Sequence, residues 1–153
     1  MRKTIFIITL LILLSVESEA RTKGKTQGYS GKISASLSAD CGFINDLSGM
    51  ISTSHGYRFN NGLWIGGGLG IFLPFDETPS FPFFTELKYS GVSGKVSPYI
   101  SCRIGLCLWE FAEDFYSYIS PEIGIDISNW YIFMSYNDIE IMKFVNIGFS
   151  WSF

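Results

Sequence analysis

The chain has 153 residues, a formal net charge of −3 and a mean hydropathy of +0.25, yet only 16% of it is charged. Ordinary soluble domains carry roughly 25% charged residues. After residue 20 no apolar run approaches the ~18 residues that a membrane helix needs, which excludes helical spans. Aromatics at 17% and 16 glycines, without long apolar runs, are what alternating lipid-facing strands produce.

The first residues read as an export signal. Met1-Arg2-Lys3 is positive, residues 4–14 are almost unbroken apolar, and Ser18-Glu19-Ala20 is a small-x-small site. That pattern predicts a signal peptide over 1–20, cleaved before Arg21, with no Cys there to carry a lipid. A short basic leader, 21–27, follows, and 28–153 remains as one domain.

Strand one alternates Tyr29, Gly31, Ile33, Ala35, Leu37 and Ala39 with Lys32, four serines and Asp40. Period two gives it one apolar and one polar face. After a loop over 41–48, strand two (49–59) puts Ile51, Thr53, His55, Tyr57 and Phe59 on one side. Asn60-Asn61-Gly62 predicts a three-residue hairpin loop that sets Phe59 against Leu63. Strand three (63–73) turns Leu63, Ile65, Leu69 and Ile71 outward, and Gly66, Gly68 and Gly70 inward. The three prolines in 74–82 predict a loop. Strand four then opposes Phe83, Thr85, Leu87 and Tyr89 to Phe84, Glu86, Lys88 and Ser90.

Strand five (98–109) sends Ile100, Cys102, Ile104, Leu106 and Leu108 out, with Arg103 and Gly105 in. Residues 110–116 predict an acidic loop. Strand six sets Ile119, Pro121, Ile123, Ile125 and Ile127 against Ser120, Glu122, Gly124, Asp126 and Ser128. Pro121 forfeits a ladder hydrogen bond, so it is expected at a strand end or a bulge. A two-residue turn at 128–129 leads into strand seven (130–136). The closing strand, 143–153, places Val145, Ile147, Phe149, Trp151 and Phe153 on one face and Asn146, Gly148, Ser150 and Ser152 on the other.

Eight strands of about ten residues are each long enough to cross a bilayer at a tilt. The expected fold is all-β, an eight-stranded antiparallel up-and-down transmembrane β-barrel. Turns at 60–62, 91–97 and 128–129 would face the periplasm, and longer loops of about six to nine residues the exterior.

The terminal pattern Phe149, Trp151, Phe153 resembles the C-terminal signal of outer-membrane barrels, which implies recognition by the barrel-assembly machinery during biogenesis. Ile51-Ser52-Thr53-Ser54-His55-Gly56-Tyr57, Lys95-Val96-Ser97-Pro98-Tyr99 and Ser120-Pro121-Glu122-Ile123-Gly124 resemble a family of small outer-membrane β-barrel proteins, similar in architecture to OmpA/OmpX-type barrels. The resemblance implies a bacterial outer-membrane location and a lipid environment, and brings no catalytic residue. No peptidoglycan-binding domain is expected beside the barrel.

Inward parity collects Lys32, Arg58, Lys88 and Arg103 with Asp40, Glu86, Glu122 and Asp126. An eight-stranded barrel is narrow enough for side chains to fill, so a packed polar interior is expected rather than a pore. Arg103 and Glu122 should pair across the fifth-to-sixth hairpin. Glu122 and Asp126, four residues apart on one strand, would lie roughly 13 Å apart, too far for a catalytic carboxylate pair.

His55, the single histidine, shares the apolar face opposite Gly67. A lipid hydrolase would use it as base with Ser52 or Ser54, but those serines have the other parity. The alternative is a ring hydrogen-bonded near the inner interface. Among the extracellular loops Asp46, Asp76, Glu77, Glu110, Glu113, Asp114, Asp138 and Glu140 are acidic, while Arg21, Lys23, Lys25 and Lys95 lie on the other side. That rim could bind divalent cations, or be only a solvated surface.

Cys102 and Cys107, roughly 16 Å apart on one strand, cannot bridge, and with Cys41 they read as small hydrophobes. No cofactor motif, metal cluster or nucleic-acid patch is present, so no cofactor, metal or nucleic-acid partner is expected. The functional reading is a non-enzymatic monomeric barrel serving envelope integrity or surface interaction. An outer-membrane lipid-modifying hydrolase, a narrow porin-like channel and a soluble ligand-holding barrel are the alternatives.

Overall fold

Alternating side chains form eight strands in the computed structural model: β1 (Gly28–Asp40), β2 (Leu47–Arg58), β3 (Leu63–Pro74), β4 (Ser80–Ser90), β5 (Val96–Trp109), β6 (Phe115–Ile127), β7 (Trp130–Ile139) and β8 (Met142–Ser152). The structure describes residues 27–40, 47–74, 78–91, 96–109, 115–140 and 142–153. The signal peptide and, apart from Gln27, the leader lie outside them.

Each strand pairs antiparallel with the next, and β8 pairs back with β1, so the sheet is a closed up-and-down barrel. Closure leaves no edge whose backbone groups hydrocarbon would strand. The two faces are inverted relative to a soluble barrel. The β6 isoleucines 119, 123, 125 and 127 stand outside, 40% to 55% exposed, while Glu122 and Asp126 between them are buried. This arrangement is a transmembrane β-barrel, and it excludes a soluble barrel with a dry apolar cavity.

The turn at 60–62 has the expected form. Phe59 N donates to Leu63 O (2.8 Å), Gly62 N to Phe59 O (3.2 Å), and Gly62 takes φ 85°. His55 lies opposite Gly67 in register.

Three expectations need correction. Strand pairing extends into stretches read as loops: β4 begins at Ser80, β6 at Phe115, and β7 runs to Ile139. Aromatic and small residues there satisfy the ladder despite their loop-like composition. The long loops therefore shrink, and only residues 140–141 join β7 to β8. Pro121 sits in the interior of β6 with no bulge. Pairing with β7 passes from Ile119–Asp138 to Glu122–Ser135 in unchanged register, leaving a two-residue gap in the ladder. Pro82, expected in a loop, makes a matching gap: β3–β4 pairing passes from Leu69–Phe83 to Phe72–Ser80. A missing N–H costs only local rungs when the strand is held on its other side, as Pro121 is by Cys102 and Pro82 by Cys107.

The tightness of the wall can be measured. A Cβ on Gly105 would run into the backbone of Phe83 and Phe84, whereas one on Gly67 meets only Phe84 O at 3.5 Å. Gly105→Ala is expected to lower stability by about 1–3 kcal/mol. Gly67→Ala should stay within about 0.5 kcal/mol of the parent. Denaturant midpoints of the two variants in detergent micelles check the difference.

Candidate functional site: the bore and its two ends

Four strands each contribute one charged side chain to a cluster in the bore. Lys32 of β1 contacts Glu86 Oε1 of β4 through its ammonium, and lies 3.9 Å from Glu122 Oε1 of β6. Arg103 of β5 donates from Nε to Glu86 Oε2 at 3.3 Å and sets Nη2 2.9 Å from Glu122 Oε2. The last contact is an ion pair whose angle does not make a hydrogen bond. Tyr99 Oη donates to Glu122 Oε1 at 2.7 Å. Glu86 is wholly buried, and Lys32, Arg103 and Glu122 are no more than 5% exposed. Two cations and two carboxylates thus close a neutral quartet. Neutrality is what makes such burial tolerable, since a lone charge there would lack both water and partner.

The remaining predicted residues sit toward the end that carries the turns at 60–62 and 128–129. Lys88 Nζ lies 3.3 Å from the ring centre of Tyr131 and 4.1 Å from that of Tyr99. Negative ring faces stabilise an ammonium that has left water. Arg58 Nη2 donates to Tyr131 Oη (2.9 Å), which donates in turn to Ser152 Oγ (3.4 Å). Asp126 is fully buried between Ser97 and Tyr131 in register. The Asp40 side chain lies outside the described residues.

Among the described residues the other half of the bore carries no charged side chain, and an apolar cluster shares it with buried serines and asparagines, which corrects the expectation of a polar interior throughout. Met50, Phe72, Phe84, Cys107, Tyr118 and Phe144 form an apolar cluster there. Phe72 and Phe144 approach to 4.7 Å between ring centres, and Phe84 and Tyr118 to 6.0 Å. The signal was available. Phe72, Phe84 and Phe144 share the inward parity of Gly70, Glu86 and Asn146.

Outside the barrel, His55 is held by partners that sequence reasoning missed. Tyr29 Oη lies 2.5 Å from Nδ1, and Thr53 Oγ1 lies 3.1 Å from Nε2 and 3.3 Å from the Lys32 carbonyl. The chain of donors is self-consistent. The phenol donates to Nδ1, Nε2–H to Thr53, and the Thr53 hydroxyl to the carbonyl. Ser52 and Ser54 are buried inside the barrel, on the opposite face.

The terminal aromatics divide. Phe149 is 56% exposed on the wall, while Phe153 packs against Trp151 at 5.4 Å and edge-on to His55 at 5.9 Å. Of the acidic rim, Asp138 lies in β7 and Glu140 just beyond it, with φ 33°. Asp46, Asp76, Glu77, Glu110, Glu113, Asp114 and the basic Arg21, Lys23, Lys25 and Lys95 lie outside the described residues, as does Cys41.

An inverted barrel with charges inside and aliphatics outside defines an eight-stranded transmembrane barrel of OmpA/OmpX-type architecture. Solved structures share that fold at low sequence identity. Neisserial surface protein A is 11% identical, with 82% of this chain and 95% of that one covered and a TM-score of 0.62. The N-terminal β-barrel domain of Pseudomonas aeruginosa OprF is 14% identical, covers 84% and 100%, and gives 0.55. A de novo designed transmembrane β-barrel is 13% identical, covers 86% and 98%, and also gives 0.55. No protein-family model and no curated protein matches the chain.

The quartet predicts an asymmetric mutational response. Glu86→Gln leaves Lys32 and Arg103 sharing one carboxylate, so a loss of about 3–5 kcal/mol is expected. Lys32→Met with Glu86→Leu removes one cation and one anion together and should cost less than Glu86→Gln alone. Urea unfolding of both variants in micelles makes the comparison.

Proposed function

We propose that this chain is an integral protein of the bacterial outer membrane, non-enzymatic and monomeric, with a bore shut to solutes. Its role is envelope integrity or surface interaction. One observation carries the reading: the quartet and the aromatic cluster lie one above the other across the same bore. An ion would have to break buried charge pairs and then pass a close-packed aromatic cluster, which opposes conduction twice over. A porin-like channel has neither barrier. The location is supported by the shared fold of the outer-membrane barrels above and by the apolar wall. The partners are outer-membrane lipid along that wall and, through Phe149, Trp151 and Phe153, the barrel-assembly machinery.

The lipid-hydrolase alternative is weakened by the tautomer of His55. With Nε2 donating to Thr53, the ring offers that hydroxyl a proton rather than removing one, the reverse of what nucleophile activation needs. Ser52 and Ser54 face away.

Membrane-extracted protein should migrate faster unheated than boiled, and in planar bilayers it should give no steady open level. A large, stable conductance would overturn the closed bore. His55→Ala should leave phospholipid hydrolysis in membranes at background. Measurable hydrolysis by the parent that this variant lacks would restore the enzymatic reading.

A further inference from the structure

At the turn end the bore opens into a small recess lined by seven residues, Ser30, Lys32, Arg58, Lys88, Trp64, Tyr131 and Ser152. Its volume is about 10 Å³, room for roughly one water-sized body. Three of the seven side chains are cationic. Lys32 is committed to the quartet, in which two cations balance Glu86 and Glu122. That leaves Lys88 and Arg58 against Asp126, so among the described inward-facing groups one positive charge is in surplus. Asp40 stands eight residues from Lys32 along β1, a backbone distance of roughly 26 Å. Lys88 is 3% exposed. Its ammonium rests on two tyrosine rings. Rings compensate a buried cation only in part.

We propose that this recess is a binding site for a small monovalent anion of halide size, entering from the turn end. The chemistry is that of a cationic recess open at one end. Lys88 and Arg58 supply the charge, and the space among them admits one small body. The Arg58–Tyr131–Ser152 hydrogen-bond chain fixes the guanidinium at the wall, so the charge is in place before the anion arrives. Beyond it the quartet carries no net charge, and the aromatic cluster beyond that adds no cation among the described residues. The site is therefore a dead end and not the mouth of a path. It goes beyond the proposed function and does not depend on the cellular location.

The test uses the purified barrel in dodecyl maltoside, with chloride as the probe. The ³⁵Cl NMR linewidth is followed as sodium chloride replaces sodium gluconate, whose anion is too large for the recess, at constant ionic strength. The parent should add saturable broadening to the chloride signal. Lys88→Met should abolish the added broadening, and Arg58→Gln should at least halve it. Heat-modifiable migration establishes that each variant is folded. Should Lys88→Met fail to fold, Arg58→Gln alone decides, because its side chain is partly exposed at the mouth. Absence of broadening in the parent, or full broadening in a folded Arg58→Gln, would overturn the proposal.

Discussion

Hydrocarbon offers backbone amides no partner, and that constraint governs this chain from Gly28 to Ser152. Every strand has two neighbours because β8 turns back onto β1. The closure also sets the radius, and the radius decides what the interior can be. With eight strands the bore is about as wide as the side chains that line it. Charges placed there must meet one another, and the paired register brings β1, β4, β5 and β6 close enough for Lys32, Glu86, Arg103 and Glu122 to do so.

The inside is divided by chemistry along its axis. Near the turn end, tyrosines and cations alternate, and hydroxyls relay hydrogen bonds from Arg58 to Ser152. At mid-depth the quartet joins opposite walls. Toward the other end Phe72, Phe84, Tyr118 and Phe144 pack together beside buried serines and asparagines, Ser38, Asn137 and Asn146 among them. Arg103 links the two zones. Its guanidinium pairs with both glutamates and lies 5.1 Å from the centre of the Phe84 ring. Electrostatic and apolar packing thus share one residue, and a change there would disturb both.

Much of this was legible from parity alone. Period-two alternation in β1, β6 and β8 located the walls, and the Asn60-Asn61-Gly62 turn fixed the β2–β3 register, because hydrophobic pattern and turn chemistry agree there. Strand ends were less legible, since Ser80–Pro82 and Phe115–Tyr116 have loop-like neighbours but acquire their pairing from β5, a long-range contact that composition does not encode. Pro121 misled for the same reason. A proline's cost depends on how firmly the far side of its strand is held, and here Cys102 and its neighbours on β5 hold it. The Tyr29–His55 contact was hidden because it crosses between strands, linking residues 26 apart in the chain, whereas Thr53 and His55 are neighbours on one face of β2.

Phe153 occupies a place that the pairing of β1 with β8 creates. The space that a Cβ on Gly31 would fill is taken by its ring, and Gly31 and Phe153 exchange backbone hydrogen bonds of 3.0 Å in both directions. That niche comes into being only when the first and last strands lie side by side. In an unsealed sheet the ring has no such niche to enter. The packing of a single aromatic group therefore reports whether the cylinder has been sealed.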